Sequence, residues 1–180
     1  MKEIIYTRAK TGEELIQIRK LQFQNISTNI TSKEKQLEGF VTVQHSMELL
    51  EQMNTACAHI IAKEEQKVVG FALVMLPKFR NEIEILIPMF ERIDALLPLN
   101  KSYVIMGQIC VDKNYRRQGI FRHMYLFYKE ELQKQFDFLI TEVAAINLRS
   151  INAHQSVGFK TIEIYEDKGI LWHIMLWDWK

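Results

Sequence analysis

The chain has 180 residues, of which 48% are hydrophobic, and its 23 basic residues nearly balance its 22 acidic ones. This length and composition predict one globular domain over residues 1–180 and exclude a disordered chain. The small net charge excludes a general electrostatic field that would recruit nucleic acid or an anionic membrane, so any anion site must be local.

Apolar periodicity predicts the elements of the first half of the chain. In chain order they are a strand at 3–9, a helix at 11–24, a helix beginning at Ser46, and an antiparallel hairpin of strands at 56–64 and 67–76. The apolar side of the first helix is formed by Leu15, Ile18, Leu21 and Phe23. Prolines interrupt the apolar patches of residues 78–100, so helix and extended chain both stay open there.

The second half predicts a regular alternation of strands and helices. The segments are a buried strand at 102–111 with a possible bulge at Gly107, a helix from Arg117 to Gln133, a strand at 136–145, a short helix within 146–159 that ends at Gly158, and a hairpin of 160–167 with 169–179. An alternation of this kind is typical of an α/β protein with helices packed on a sheet.

Two arginines, Arg116 and Arg117, precede the helix that follows the strand at 102–111, although the positive end of a helix dipole disfavours cations. A strand, a short turn and a helix present unpaired amide groups at one point, which is a phosphate-binding arrangement. Gly119 permits close approach, and a bound diphosphate would explain the arginines. The alternative is that both arginines are surface residues that pair with Asp112 or other acidic residues. The familiar glycine-rich phosphate motifs are absent from the sequence.

The stretch VDKNYRRQGIF resembles the acyl-CoA loop of the GNAT acetyltransferases, whose pattern is Arg or Gln, two residues, Gly, one residue, then Gly or Ala. Arg116 and Gly119 match this pattern, whereas Phe121 departs from it. A later stretch, NLRSINAHQSVGF, is similar to a second motif of the family through Asn147, Ser150, Gly158 and Phe159. The position that often holds a tyrosine acid in the family is occupied by His154.

The resemblance implies a mixed parallel and antiparallel sheet of six to seven strands flanked by helices. It also implies that acetyl-CoA donates an acetyl group to a primary amine of a small molecule or an amino terminus. The residues that it assigns to the cofactor are the backbone of Ile109, Cys110 and Val111, then Arg116, Arg117, Gln118, Gly119, Ile120, Phe121, Asn147 and Ser150.

Two residues are candidates for catalysis. His154 is the candidate proton donor to the leaving thiolate, and the alternative is a structural hydrogen bond at the end of a helix. Glu142 is the candidate base, because a carboxylate among apolar residues has either a partner or a raised pKa. The alternative for Glu142 is a structural ion pair with an arginine such as Arg149. A non-catalytic acyl-CoA sensor is the competing function.

The remaining predictions concern location and partners. Cys57 and Cys110 lack the spacing of a disulfide framework or a metal site, and no segment has the apolar length of a signal peptide or a membrane span, so we expect a cytoplasmic protein. We expect no nucleic acid, membrane or metal partner, and a possible homodimer through the apolar terminal strand. Acceptor choice is predicted to lie in segments 25–43 and 84–93.

Overall fold

Seven β-strands form one mixed sheet in the computed structural model, which describes residues 3–29, 31 and 40–180. The spatial order is β1-β2-β3-β4-β5-β7-β6, in which β4 and β5 are parallel and every other neighbouring pair is antiparallel. The strands are β1 Ile4–Arg8, β2 Ile60–Glu64, β3 Lys67–Met75, β4 Tyr103–Val111, β5 Phe138–Ala144, β6 Lys160–Asp167 and β7 Ile170–Asp178.

Five α-helices in the described part of the chain cover the two faces of this sheet. One face carries α1, α2 and α3, and the other carries α4 and α5, each with its own cluster of buried side chains. The bounds are α1 Gly12–Asn25, α2 Met47–Ala56, α3 Ile87–Leu96, α4 Ile120–Leu132 and α5 Leu148–Val157. The mixed sheet with flanking helices that the sequence predicts is therefore confirmed.

The helix boundaries follow from local side chains. Thr11 and Glu14 form a capping box at the start of α1, and the Ser46 hydroxyl accepts a hydrogen bond from the Leu49 amide, as predicted for the second helix. Gly158 ends α5 with a positive φ of 130°. Segment 78–100, for which the sequence is compatible with helix or extended chain, contains α3. This helix tolerates Pro88 because the proline lies in its first turn.

Two predicted details are wrong. Phe23 is 57% exposed instead of sharing the apolar side of α1, because two residues beyond Leu21 is about 200° around a helix. The neighbouring Gln22 is buried in its place. The helix predicted from Arg117 begins at Ile120, since residues 117–119 form the turn that precedes it.

The two central parallel strands separate after a short common stretch. Only Tyr103–Ile105 of β4 pair with β5, opposite Phe138–Ile140. Beyond this point the Thr141 hydroxyl donates a 3.0 Å hydrogen bond to the carbonyl of Met106, which the ladder no longer satisfies. The register of β4 against β3 also shifts near Gly107, where a bulge was predicted. The separation opens a gap in the middle of the sheet.

Candidate active site

A groove of about 280 Å³ lies beside the gap, where β4 ends and α4 begins. It brings together most of the residues that were assigned to the cofactor. Its lining consists of Asn25, Phe40, Val41, Ile109, Cys110, Val111, Tyr115, Arg116, Arg117, Gly119, Ile120, Phe121, Arg122, Asn147, Arg149, Ser150 and Ala153. The described lining contains four arginines and no Asp or Glu, so its charge suits an anionic ligand.

The turn at residues 117–119 builds the anion-binding end of the groove. Arg117 and Gly119 both have left-handed backbone angles, with φ of 62° and 78°. Gly119 is the N-cap of α4 and offers no side-chain cap, so the helix starts with its amide groups available for an acceptor. Backbone of this kind forms a concave anion site. Asp112, the alternative partner of the arginines, forms an ion pair with Lys67, in which its Oδ2 lies 3.0 Å from the lysine Nζ.

The two arginines of the motif have different surroundings. The Arg116 guanidinium donates to the Val111 carbonyl at 3.2 Å and to the Asn25 side-chain oxygen at 2.7 Å. It thereby ties the end of β4 to the end of α1. Arg117 lies in the strained turn itself. Arg116 therefore shapes the groove through contacts with the protein, in addition to its positive charge.

Asn147 organises the opposite wall of the groove. Its side-chain oxygen accepts a 3.3 Å hydrogen bond from the Ser150 amide and caps α5, and its amide nitrogen donates to the Phe40 carbonyl at 3.3 Å. Gln118 is absent from the groove lining in the described structure, and its side chain donates to the Asn114 carbonyl at 3.4 Å. A role for Gln118 in binding the cofactor stays a prediction.

Sequence reasoning missed several lining residues. Arg122 and Arg149 lie in the first turns of α4 and α5, which places their charges at the groove. Each lies in the first turn of a helix that begins at the groove, so its distance from the helix start could have indicated that it lines the groove. Asn25, Phe40 and Val41 come from a distant part of the chain and had no such signal.

A smaller chamber of about 70 Å³ occupies the gap between β4 and β5. It shares Phe40, Val41, Ile109, Asn147 and Ser150 with the groove, so the two spaces meet there. The residues that line it alone include Thr42, Gln108, Thr141, Glu142, His154 and Trp172. Both predicted catalytic residues therefore lie at the chamber.

Gln108 is held by two hydrogen bonds. Its amide nitrogen donates to the Val43 carbonyl at 2.5 Å, and its oxygen accepts from Gln22 at 2.7 Å. These bonds connect β4, α1 and the chain near Val43 across the chamber. Gln108 therefore fixes the wall of the chamber.

Glu142 has one occupied and one available carboxylate oxygen. Oε1 accepts a short hydrogen bond from the Tyr165 hydroxyl, whereas Oε2 is buried and has no hydrogen-bond partner among the described residues. Its partner is thus Tyr165 rather than Arg149. Burial raises the pKa of Glu142 from its ordinary value of 4.5 to about 7, partly opposed by the Tyr165 hydrogen bond. The charge of Asp167 raises this pKa further, and that of Arg92 lowers it.

His154 is 1% exposed and is neutral near pH 7, because burial lowers its pKa to about 4. Its Nδ1 lies 2.7 Å from the Ser150 carbonyl, which can only accept, so Nδ1 carries the proton. Nε2 is therefore a bare acceptor, and it is buried with no partner in the described part of the chain. This tautomer has no proton to donate from Nε2.

The two residues reach the chamber from opposite faces of the sheet. Glu142 contacts Tyr165, which belongs to the cluster under α1, α2 and α3. The His154 ring packs edge-on against Tyr125 and Phe159, which belong to the cluster under α4 and α5. The chamber is thus lined by side chains that pack on both faces of the sheet.

The comparison with protein families agrees with this geometry. A model of the acetyltransferase (GNAT) family matches residues 20–159, which is most of the chain. The chain belongs to the GNAT acetyltransferase family. Membership of this family of acetyltransferases confirms the predicted cosubstrate, acetyl-CoA. A search of the curated proteins finds no match.

Solved structures share the fold of this GNAT protein at low sequence identity. A chain of the NatC complex bound to Gag peptide and CoA is 14% identical, with a TM-score of 0.69 and coverage of 98% of both chains. The ribosomal-protein-S18-alanine N-acetyltransferase from Escherichia coli is 17% identical, with a TM-score of 0.64 and coverage of 98% of this chain and 94% of that one. The putative acetyltransferase yncA from Salmonella typhimurium, solved with acetyl-CoA, is 11% identical, with a TM-score of 0.66 and the same coverage.

The groove of this GNAT protein fits the diphosphate of its cosubstrate. The uncapped start of α4 supplies amide donors, and the four lining arginines supply charge. Phe121 departs from the small residue of the family motif, and its ring packs edge-on against Tyr125 and His154, 5.1 Å and 5.4 Å away between ring centroids. The large side chain is thus anchored between α4 and α5.

Within the described residues, no helix has the length and apolar character to cross a membrane.

Proposed function

We propose that this GNAT protein transfers the acetyl group of acetyl-CoA to a primary amine by direct attack in the gap between β4 and β5. The acceptor is a small molecule or an amino terminus, and Glu142 accepts the proton that the amine must lose. The observation that carries the proposal is the buried Oε2 of Glu142, which lacks a hydrogen-bond partner in the described structure and lies at a chamber that meets the cofactor groove.

The protonation state of Glu142 suits a base. An amine attacks only as the neutral base, and most amines are ammonium ions near pH 7. A carboxylate with a pKa of about 7 is ionised in half of the molecules at that pH and is a stronger base than an exposed carboxylate. Its burial also favours the neutral form that results from proton uptake.

Acetyl-CoA supplies an activated acetyl thioester when it is bound. The start of α4 and the lining arginines hold its phosphates, and the end of β4 provides backbone groups beside the gap. We assign the backbone of Ile109, Cys110 and Val111 to the pantetheine arm and to the oxygen of the acetyl group. These hydrogen-bond donors belong to the main chain, so the role does not require particular side chains at residues 109–111.

Direct attack is preferred to an acyl-enzyme on Cys110. Burial raises the pKa of this thiol to about 12, so the thiolate that would act as nucleophile is scarce near neutral pH. The thiol also lies against its own strand, with Sγ 3.9 Å from the Val111 carbonyl. The amine is the better nucleophile at this site.

His154 is assigned a small contribution to turnover. The sequence predicts that it protonates the leaving sulfur, but Nε2 must take up a proton before it can give one. With a pKa of about 4, the imidazole is rarely protonated near neutral pH. A thiolate leaves without a dedicated acid more readily than an alkoxide does. Replacement of His154 should therefore lower turnover only a little.

The proposal extends to acceptor class, location and assembly. Among the structural neighbours, NatC was solved with a peptide, and the Escherichia coli enzyme acetylates an alanine of a ribosomal protein, which supports testing amino termini beside small amines. A cytoplasmic location fits two cysteines that are both free thiols. A homodimer stays a prediction, and the exposed Ile164, Ile170 and Leu171 lie on the two terminal strands.

The test is the release of free CoA from acetyl-CoA with a panel of amines that includes short peptides with free amino termini. We expect turnover with at least one class of amine, and its loss in Glu142→Gln at unchanged CoA affinity. Binding of CoA without turnover across the whole panel would favour the acyl-CoA sensor instead. Separate reactions with blocked and free peptides distinguish amino-terminal acceptors from small ones.

A further inference from the structure

We propose that Tyr165 and Arg92 are positioning residues for the base: Tyr165 holds the Glu142 carboxylate with its second oxygen toward the gap, and Arg92 acts on the same carboxylate through the Tyr165 ring. This inference rests on the proposed function of Glu142. Neither residue belongs to the two stretches that resemble family motifs, residues 111–121 and 147–159.

The contact between Tyr165 and Glu142 fixes the orientation of the carboxylate. The Tyr165 hydroxyl donates a short hydrogen bond to Oε1, from β6 to β5 across the intervening strand β7. Tyr165 is 5% exposed and packs in the cluster that also holds Trp172, so its own rotation is restricted. Oε1 is held in this way, whereas Oε2 has no hydrogen-bond partner in the described structure, and Glu142 lines the chamber.

Arg92 of α3 lies on the outer side of the same ring. Its guanidinium carbon is 4.2 Å from the centroid of Tyr165, which is a cation–π distance. Its Nη1 is 2.6 Å from the Glu163 carboxylate, so the guanidinium is anchored from β6 as well. The ion pair and the stacking hold a positive charge behind the tyrosine that binds the base.

The charged groups around Glu142 act with opposite signs. Arg92 from α3 and the Tyr165 hydroxyl from β6 favour the carboxylate, whereas Asp167 at the end of β6 disfavours it. Among the described lining residues, the other titratable group is His154 on α5, which is neutral, and Gln108 on β4 is uncharged. Without Tyr165 and Arg92, burial and Asp167 would favour the protonated form, which cannot accept a proton.

The experiment measures kcat against pH at saturating amine for single variants. Tyr165→Phe should move the acid limb up by about one pH unit, because a hydrogen bond to a charged group is lost. It should also lower the plateau about tenfold, because the carboxylate is no longer oriented. Arg92→Gln should move the limb up by less, and Asp167→Asn should move it down.

Two controls separate this role from a structural one. Tyr103→Phe removes the hydroxyl of another tyrosine next to an arginine–carboxylate pair, Arg80 and Asp94, at the far end of β4, and should leave the limb in place. Glu163→Gln removes the ion pair that anchors Arg92 but leaves the arginine charged, so it should move the limb up by less than Arg92→Gln does. If Tyr165→Phe fails to fold, the opposite shifts of Arg92→Gln and Asp167→Asn still test the inference.

A limb that stays within about 0.2 pH unit of the wild-type position in Tyr165→Phe, or shifts of the same sign in Arg92→Gln and Asp167→Asn, would overturn the inference. Carbon-13 NMR of labelled glutamate follows the Glu142 titration without any turnover. A titration that shifts as expected in a protein inactive toward every amine would retain the inference about the carboxylate and reject the proposed function.

Discussion

The proposed function assigns different means of ligand recognition to the two sides of the central gap. On the cofactor side, the main chain of one continuous segment, residues 116–122, forms the turn and the helix start. On the acceptor side, side chains from β5, β6 and α3 meet, and Arg92 and its partner Glu163 are 71 residues apart. Under this proposal, we expect backbone recognition to tolerate side-chain changes such as Phe121, and the acceptor side to depend on the identity of each group.

The largest expected effect tests the acceptor side. Glu142→Gln keeps the size of the side chain and removes the base, so kcat should fall about a thousandfold. The Kd of CoA should not change, since Glu142 lies outside the groove lining. Steady-state kinetics and calorimetry measure the two quantities.

Glu130→Gln on the exposed side of α4 is the matched control and should behave as wild type. A fall in kcat of less than tenfold in Glu142→Gln would contradict the assignment of Glu142 as the base.

The same substitution should change stability in a pH-dependent manner. The folded pKa of about 7 exceeds the ordinary value of 4.5, so the carboxyl favours folding when protonated, below pH 4.5, and this contribution is lost as the pH rises to 7. The free energy of unfolding of Glu142→Gln relative to wild type should therefore increase by roughly 3 kcal/mol between pH 4 and pH 8. Urea unfolding at several pH values measures it, and a pH-independent difference would contradict the raised pKa.

A third prediction concerns the backbone on the cofactor side. Gly119→Val places a β-branched residue at a φ of 78°, so CoA should bind about ten- to thirtyfold more weakly. Space is not the cause, because a Cβ at Gly119 would lie 3.4 Å from the His123 ring. Gly119→Asn is the matched variant and should lose less affinity, since Asn tolerates this conformation.

Titration calorimetry with CoA compares the two Gly119 variants. Unchanged affinity in Gly119→Val would contradict the phosphate site, and equal losses in both variants would contradict the backbone explanation.

The smallest expected effect concerns His154. His154→Phe removes the buried Nε2, which has no partner among the described residues, together with the Nδ1 hydrogen bond to the Ser150 carbonyl, and kcat should fall by less than tenfold with an unchanged Kd for CoA. Turnover assays measure this against His173→Phe, a control on β7 outside the chamber lining. A hundredfold loss would show that His154 is the proton donor that the sequence predicts.

The elements that build the groove could be predicted from the sequence because their information is local. The strand, the turn with Gly119 and the helix of the motif are contiguous, and two motifs were enough to predict the fold and acetyl-CoA. The partner of Arg116 was out of reach, because Asn25 lies 91 residues away in the chain. The apolar character of Phe23 predicts a core residue, but its position about 200° around the helix from Leu21 leaves it exposed.

The acceptor side was predicted only in part. Glu142 was singled out as a carboxylate among apolar residues, but its contact with Tyr165 depends on the antiparallel pairing of β5, β7 and β6. The predicted acceptor segment 25–43 includes residues 30 and 32–39, which lie outside the described residues. Its described part contributes Phe40, Val41 and Thr42 to the chamber, and segment 84–93 contributes Arg92 behind Tyr165. Their role in acceptor choice stays a prediction.

The most direct test of the proposed chemistry is the pH dependence of kcat at saturating amine in wild type and Glu142→Gln. We expect an acid limb with an apparent pKa of about 7 in wild type, which follows the titration of Glu142, and residual turnover without this limb in the variant. A limb of the same position and depth in both proteins would contradict the assignment of Glu142 as the base.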